Sequence, residues 1–106
     1  MRRVMVRYTV RPGQADANEA LVRAVYDELH RTRPDGLRYA TFRLDDGVSF
    51  VHVASVETED GHNPLSDVQA FQRFTETIGE RSDERPVTVA LHEVGSYRFL
   101  DGAGAA

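Results

Sequence analysis

The amino-acid sequence predicts an α+β fold of order β-α-β-β-α-β, with two helices on one face of a four-stranded antiparallel sheet. Three observations carry this. Two stretches repeat apolar residues at helical spacing, four have strand character, and Pro or Gly clusters separate most of them. The 106 residues hold a single core, since a domain typically takes about 100–200. That domain spans residues 1–100. The tail 101–106, Asp-Gly-Ala-Gly-Ala-Ala, has little to bury and is expected to fray.

Residues 3–10 alternate Val4, Val6, Tyr8 and Val10 with Arg3, Met5, Arg7 and Thr9, the period of a strand. Pro12-Gly13 ends it. Residues 14–32 form a helix of roughly five turns, with Leu21, Val25 and Leu29 in one stripe and Val22 and Tyr26 beside it. Asp16 and Glu19 have capping-box spacing, with Asp16 as cap. His30, Arg31 and Arg33 suit the helix dipole, and Pro34-Asp35-Gly36 stops the helix. Residues 37–45 and 48–57 flank Asp46-Gly47, a strong hairpin signal. A polar loop leads into a second helix over 66–81, with Ser66 and Gln69 as its capping box and Val68, Phe71, Phe74 and Ile78 as its buried stripe. Pro86 breaks the chain, and 87–99 return to strand character with a bend at Gly95.

This order is the ferredoxin-like, or split βαβ, pattern. Two helices cover one sheet face, so the other meets water or a partner. The third strand carries Val51 and Val53 on one side and Phe50, Ala54 and Val56 on the other, which asks for cover on both. A two-fold homodimer through the open sheet face is the natural solution.

Composition narrows the function. There is no cysteine, which excludes a disulfide scaffold, a cysteine zinc site, an iron–sulfur cluster and a cysteine nucleophile. The net charge of −4 argues against a phosphate-tracking nucleic-acid binder. No apolar stretch nears the ~18–20 residues of a membrane span, so a cytoplasmic protein without a membrane partner is expected. Arg2, Arg3, Arg7 and Arg11 cluster near the first strand, but no glycine-rich phosphate loop, dinucleotide fingerprint or nucleophile elbow accompanies them.

Among the histidines, His30, His52, His62 and His92, no two have metal-ligand spacing, so no metal is expected. His52 lies mid-strand among apolar residues. It is either a buried base that moves a proton near neutrality or a structural histidine bonded across the sheet or a dimer interface. Tyr39 and Arg43, four apart on one strand, point to the same face. With Thr41 they line a polar patch suited to a phenol, enolate or carboxylate, or else form salt bridges on a partly exposed face. Arg7 joins them if the faces agree. Gly61-His62-Asn63-Pro64-Leu65 is a pocket mouth or a simple crossover into the second helix.

Val6-Arg7-Tyr8-Thr9-Val10-Arg11-Pro12-Gly13 resembles the opening strand and turn of the antibiotic biosynthesis monooxygenase-like proteins. Asp46-Gly47-Val48-Ser49-Phe50-Val51-His52-Val53-Ala54 resembles their hairpin, and Phe71-Gln72-Arg73-Phe74 the core of their second helix. The resemblance covers about residues 3–100 and implies a dimeric α/β barrel, with ligand pockets between helices and sheet. It implies cofactor-free oxidation of aromatic or polyketide-like compounds, or oxidative breakdown of haem. The haem-degrading members rely on an Asn, Trp and His set, and the quinone-forming ones also use a Trp. This chain has no tryptophan, which disfavours haem breakdown. No catalytic residue carries over. On their own chemistry, His52, Tyr39 and Arg43 are the residues to test as base, donor and anion partner. The alternative is a non-catalytic dimeric module that binds a small apolar molecule or regulates a partner.

Overall fold

The computed structural model describes residues 1–99, so the expected fraying of 101–106 lies outside the described residues. It has the predicted order. Strand β1 is Arg2–Val10, helix α1 Ala15–Thr32, β2 Leu37–Arg43, β3 Ser49–Val56, α2 Gln69–Arg81 and β4 Ser82–Leu91. The four strands form one antiparallel sheet in the order β2-β3-β1-β4. No helix among the described residues is long and apolar enough to cross a membrane.

Period-two alternation divides the sheet. Val4, Val6, Tyr8 and Val10 of β1 share the helix-covered face with Phe50, His52, Ala54 and Val56 of β3, because Val6 stands opposite His52 and Tyr8 opposite Phe50. The core joins Tyr8, Val10 and Phe50 to Val22 and Val25 of α1 and Phe74 of α2. Met5, Arg7, Val51 and Val53 fall on the open face with Ala40 and Phe42. Arg7 therefore does not share a face with Tyr39 and His52.

The turns follow their chemistry. Gly47 has φ +78 in the β2–β3 hairpin, and the Asp46 carboxylate accepts hydrogen bonds from the backbone N–H groups of Val48 and Ser49. Gly36 has φ +79, and a Cβ there would lie 2.6 Å from the Thr58 methyl. Glycine lets the end of the α1–β2 loop press on the segment after β3.

The helix starts and the last strand differ from the sequence expectation. Asp16 does not cap α1. Gln14 holds the cap position without a side-chain bond, and Asp16 and Glu19 instead accept from Arg43. The predicted helix over 66–81 divides into a 3-10 turn, Pro64–Asp67, and α2 proper. Ser66 donates its hydroxyl to the Asn63 carbonyl and is no cap. The cap comes from elsewhere, since the Glu28 carboxylate on α1 accepts from the backbone N–H of Gln69 at 3.0 Å and of Ala70 at 2.9 Å. Those bonds to the helix N-terminus hold its pKa below the usual carboxylate value. Strand β4 begins earlier and ends earlier than expected. Arg3 pairs with Leu91, and β1 has almost no strand beyond that point to pair with later residues. Gly95 thus lies past the strand and bends nothing in it. Pro86 sits inside β4, where the register with β1 slips between Arg7–Val87 and Thr9–Glu84. An edge strand with a bulge tolerates a residue that cannot donate.

Candidate functional site

On the helix-covered face an apolar cavity of about 300 Å³ lies between α2 and the sheet. Val4, Val6, Ala54, Leu65, Phe71, Phe74 and Ile78 supply its apolar wall, and Tyr8, Tyr39 and His52 its polar one. Thr75, Pro86 and Thr88 line it and are exposed, so its mouth lies between α2 and the edge strand β4.

His52 is 5% exposed and both ring nitrogens have partners. Nε2 lies 2.8 Å from Tyr8 Oη. Nδ1 lies 2.6 Å from Tyr39 Oη and 3.1 Å from Thr41 Oγ1, which in turn is 2.8 Å from Tyr26 Oη. The network continues away from the cavity. Asn18 Nδ2 donates to Tyr8 Oη at 2.8 Å, and Arg81 Nε donates to Asn18 Oδ1 at 3.1 Å. Arg81 also donates to Thr77 Oγ1 and, at 3.2 Å, to the Phe74 carbonyl. Its guanidinium lies over the Phe74 ring, and no carboxylate among the described residues pairs with it. Among the described residues no buried side-chain polar atom lacks a partner.

Burial sets the protonation of this network. It pushes His52 down from 6.5 to about 4, so the imidazole is neutral at physiological pH. Burial pushes Tyr8 and Tyr26 up to about 12, although Asn18 and the Arg81 charge pull Tyr8 back somewhat and Thr41 pulls Tyr26. Tyr39 is raised further, by burial first and the neighbouring Tyr26 second. The resting site therefore holds one neutral imidazole among three neutral phenols.

The structure brings His52 and Tyr39 into contact. It does not bring Arg43 to this cavity. The Arg43 guanidinium donates to Asp16 and Glu19 at 3.0 Å each and to the Gly47 carbonyl at 2.9 Å, tying the end of β2 to the first turn of α1. The loop after β3 is a crossover and not the mouth of the cavity. It leads into α2, and its Asn63 and Leu65 line the cavity. His62 points elsewhere, to Asp67 at 2.7 Å.

No family model matches the chain, and no curated protein matches it in sequence. Solved structures do. A candidate antibiotic biosynthesis monooxygenase from Nitrosomonas europaea superposes with a TM-score of 0.73 at 16% identity, covering 90% of this chain and all of the other. The fold is that of the antibiotic biosynthesis monooxygenase-like proteins. SnoaB, a cofactor-independent oxygenase from Streptomyces nogalater, has this fold at a TM-score of 0.64 and 17% identity, over 90% of this chain and 94% of its own. A candidate antibiotic biosynthesis monooxygenase from Bordetella bronchiseptica has it at 0.62 and 23%, over 89% and 97%.

Sequence reasoning missed Tyr8, Asn18 and Arg81 as members of the site. Asn18 had a signal. It sits at the spacing of Ala15, Val22 and Val25, a polar residue in a buried stripe. Tyr8 alternates with valines, and nothing in that pattern places its hydroxyl beside His52. Arg81 ended a helix, where a cation needs no other explanation.

Proposed function

We propose that this chain is a cofactor-free oxygenase for a small, electron-rich aromatic or polyketide-like substrate, working as a homodimer. The observation that supports it best is the apolar cavity with a buried neutral imidazole held among hydroxyls on its wall. Cavities of about 300–1,000 Å³ with a few convergent polar groups are the usual form of small-molecule sites. The likeness to SnoaB points the same way.

In this reading an enolic or phenolic O–H of the substrate donates to Tyr8 Oη. The Tyr8 proton passes to His52 Nε2, and Tyr39 donates to the oxygen that becomes anionic. The imidazolium is disfavoured in the empty cavity and is stabilised when the substrate anion forms beside it. The anion then gives one electron to O₂. The resulting radicals join through a C–O bond, and the peroxide takes back the proton. Loss of the remaining C–H as a proton, with cleavage of the O–O bond, leaves a carbonyl and water. For an anthrone-type methylene the balance is R₂CH₂ + O₂ → R₂C=O + H₂O. The carbon loses four electrons and dioxygen gains them. Arg43 anchors β2 to α1 in this scheme, and the buried cation of the network, Arg81, stands behind the wall and reaches Tyr8 through Asn18.

The homodimer closes the open sheet face. Phe42 is 47% exposed there, Val87 61% and Val89 44%, an apolar area that a second copy would cover.

Oxygen uptake with anthrone tests the reaction. Uptake stoichiometric with ketone or quinone is expected, and His52→Ala should lower turnover by about 10²–10⁴-fold. Equal turnover in wild type and His52→Ala would overturn it. The satisfied state of both His52 nitrogens favours one second reading, a module that binds an aromatic without converting it. Saturable quenching of tyrosine fluorescence by anthrone, with no oxygen uptake, would select that reading.

A further inference from the structure

The cation buried behind the cavity wall has a use that the proposed reaction leaves open. We infer that Arg81, acting through Asn18 and Tyr8, fixes the neutral His52 proton on Nδ1 and leaves the Tyr39 hydroxyl as the donor offered to the cavity. Arg81 and Asn18 are positioning residues in this assignment, since neither lines the cavity.

Donors and acceptors along the network fix the tautomer. A guanidinium has donors only. Arg81 Nε, 3.1 Å from Asn18, therefore requires the amide oxygen to face it. The Asn18 NH₂ group then faces Tyr8 and can only donate to it, at 2.8 Å. Tyr8 Oη, having accepted that bond, has one hydrogen of its own. The other polar atom within hydrogen-bond distance among the described residues is His52 Nε2, at 2.8 Å. Tyr8 Oη could accept a second bond from Nε2–H, but its own hydrogen would then have no acceptor among the described residues, so Tyr8 donates, Nε2 accepts, and the single proton of the neutral ring is on Nδ1. Nδ1–H donates to Tyr39 Oη at 2.6 Å, with Thr41 Oγ1 at 3.1 Å as a second acceptor. Tyr39 Oη has received a hydrogen bond, and its own hydrogen turns to Thr41 in the empty cavity. Tyr39 lines the cavity, so that hydrogen is available to a ligand there.

The order of donors runs one way, from Arg81 to Asn18, Tyr8, His52 and Tyr39. A ligand that completes it brings an oxygen acceptor to Tyr39, as an aryl ketone or a phenolate does. The burial of Arg81, 7% exposed and paired with no carboxylate, is what makes the first link obligatory. A surface arginine would leave the Asn18 amide free to turn over.

This assignment deepens the proposed reaction but is measured without substrate. Long-range ¹H–¹⁵N correlation on ¹⁵N-histidine-labelled protein at neutral pH reads the tautomer, with His52 assigned by its loss in His52→Gln. Wild type is expected to show a protonated, pyrrole-type Nδ1 and an unprotonated, pyridine-type Nε2. Asn18→Asp keeps the shape but replaces the donor with acceptors. It would accept from both Arg81 and Tyr8, so Nε2–H must then donate to Tyr8 and the two nitrogen shifts should exchange. Arg81→Gln, which can accept as well as donate, should populate both tautomers. A wild-type protein with its proton on Nε2 would overturn the assignment even if neither variant folds. So would Asn18→Asp retaining the wild-type pattern, and a single unshifted tautomer in Arg81→Gln would remove Arg81 from it. Lack of oxygen uptake would overturn the proposed reaction and leave the tautomer standing.

Discussion

The two faces of this sheet are built from alternate residues of the same strands, yet they treat polar groups in opposite ways. On the helix-covered face, His52 and Tyr8 are buried, and each polar atom meets a partner at 2.6–3.1 Å. On the open face, Arg7 is exposed, Arg3 is paired with Glu57 and Glu93 near its edge, and Phe42, Val87 and Val89 stand in solvent. The difference shows where each face draws its specificity. A buried polar network costs about 1–3 kcal/mol for each group left unpaired, so it tolerates one arrangement. An open apolar face tolerates many substitutions until a partner covers it.

The largest contrast is expected in folding stability. Phe74 is in the core and packs against the rings of Tyr8, Phe71 and His52. Phe74→Ala should cost about 3–5 kcal/mol in urea denaturation, the range for a buried aromatic. A loss below that range would mean that the cavity collapses to fill the gap.

Next comes pH. The folded His52 pKa of about 4 lies below the unfolded value of 6.5, so the unfolded chain takes up the proton first. Its contribution is complete above pH 6.5 and is lost as pH falls toward 4. Wild type should lose about 2 kcal/mol between pH 7 and pH 5, and about 3 kcal/mol in all, at 1.36 kcal/mol per pKa unit. His52→Phe should remove that slope. Denaturation midpoints for both proteins at the two pH values decide it, and parallel curves would place the titration elsewhere.

On the open face, Phe42→Lys should convert a dimer to a monomer in sedimentation velocity while changing monomer stability by less than about 0.5 kcal/mol, as for most surface substitutions. A wild-type protein that sediments as a monomer would break the comparison at its other end. The smallest effect is expected of Arg43→Ala. Its ion pairs with Asp16 and Glu19 are solvent-exposed and screened by salt, so the midpoint should move little and turnover should not change. Loss of turnover in that variant would restore Arg43 as the anion partner.

Much of the fold was legible because period decides it. The stripe Leu21, Val22, Val25, Tyr26 and Leu29 and the alternation Val4, Val6, Tyr8 and Val10 each admit one secondary structure. The Asp46-Gly47 hairpin was local chemistry. The errors came where a partner distant in sequence took over a local role. Glu28 caps α2 in place of Ser66, and Arg43 claims the two carboxylates of the expected capping box on α1. The reach of β1 sets the end of β4. Of the candidate site, His52 and Tyr39 were visible as polar groups on an apolar strand and at its neighbour. Tyr8 and Arg81 were not, since each had a sufficient local explanation, and Asn18 showed only as a polar residue in a buried stripe, with nothing to name its partners.

The order of elements, the face of each strand residue relative to its neighbours and the classes of chemistry without support could all be read from the residues in line. These follow from spacing along the chain, which is a one-dimensional quantity. Which faces meet was a matter of packing in three dimensions. That packing set Asn18 from α1 and Arg81 from the end of α2 behind Tyr8, and it held Arg43 away from His52. Hydrogen bonds act over about 3 Å and require direction, and separations of 63 residues between Arg81 and Asn18 and 44 between Tyr8 and His52 close to that distance only when helices and sheet pack.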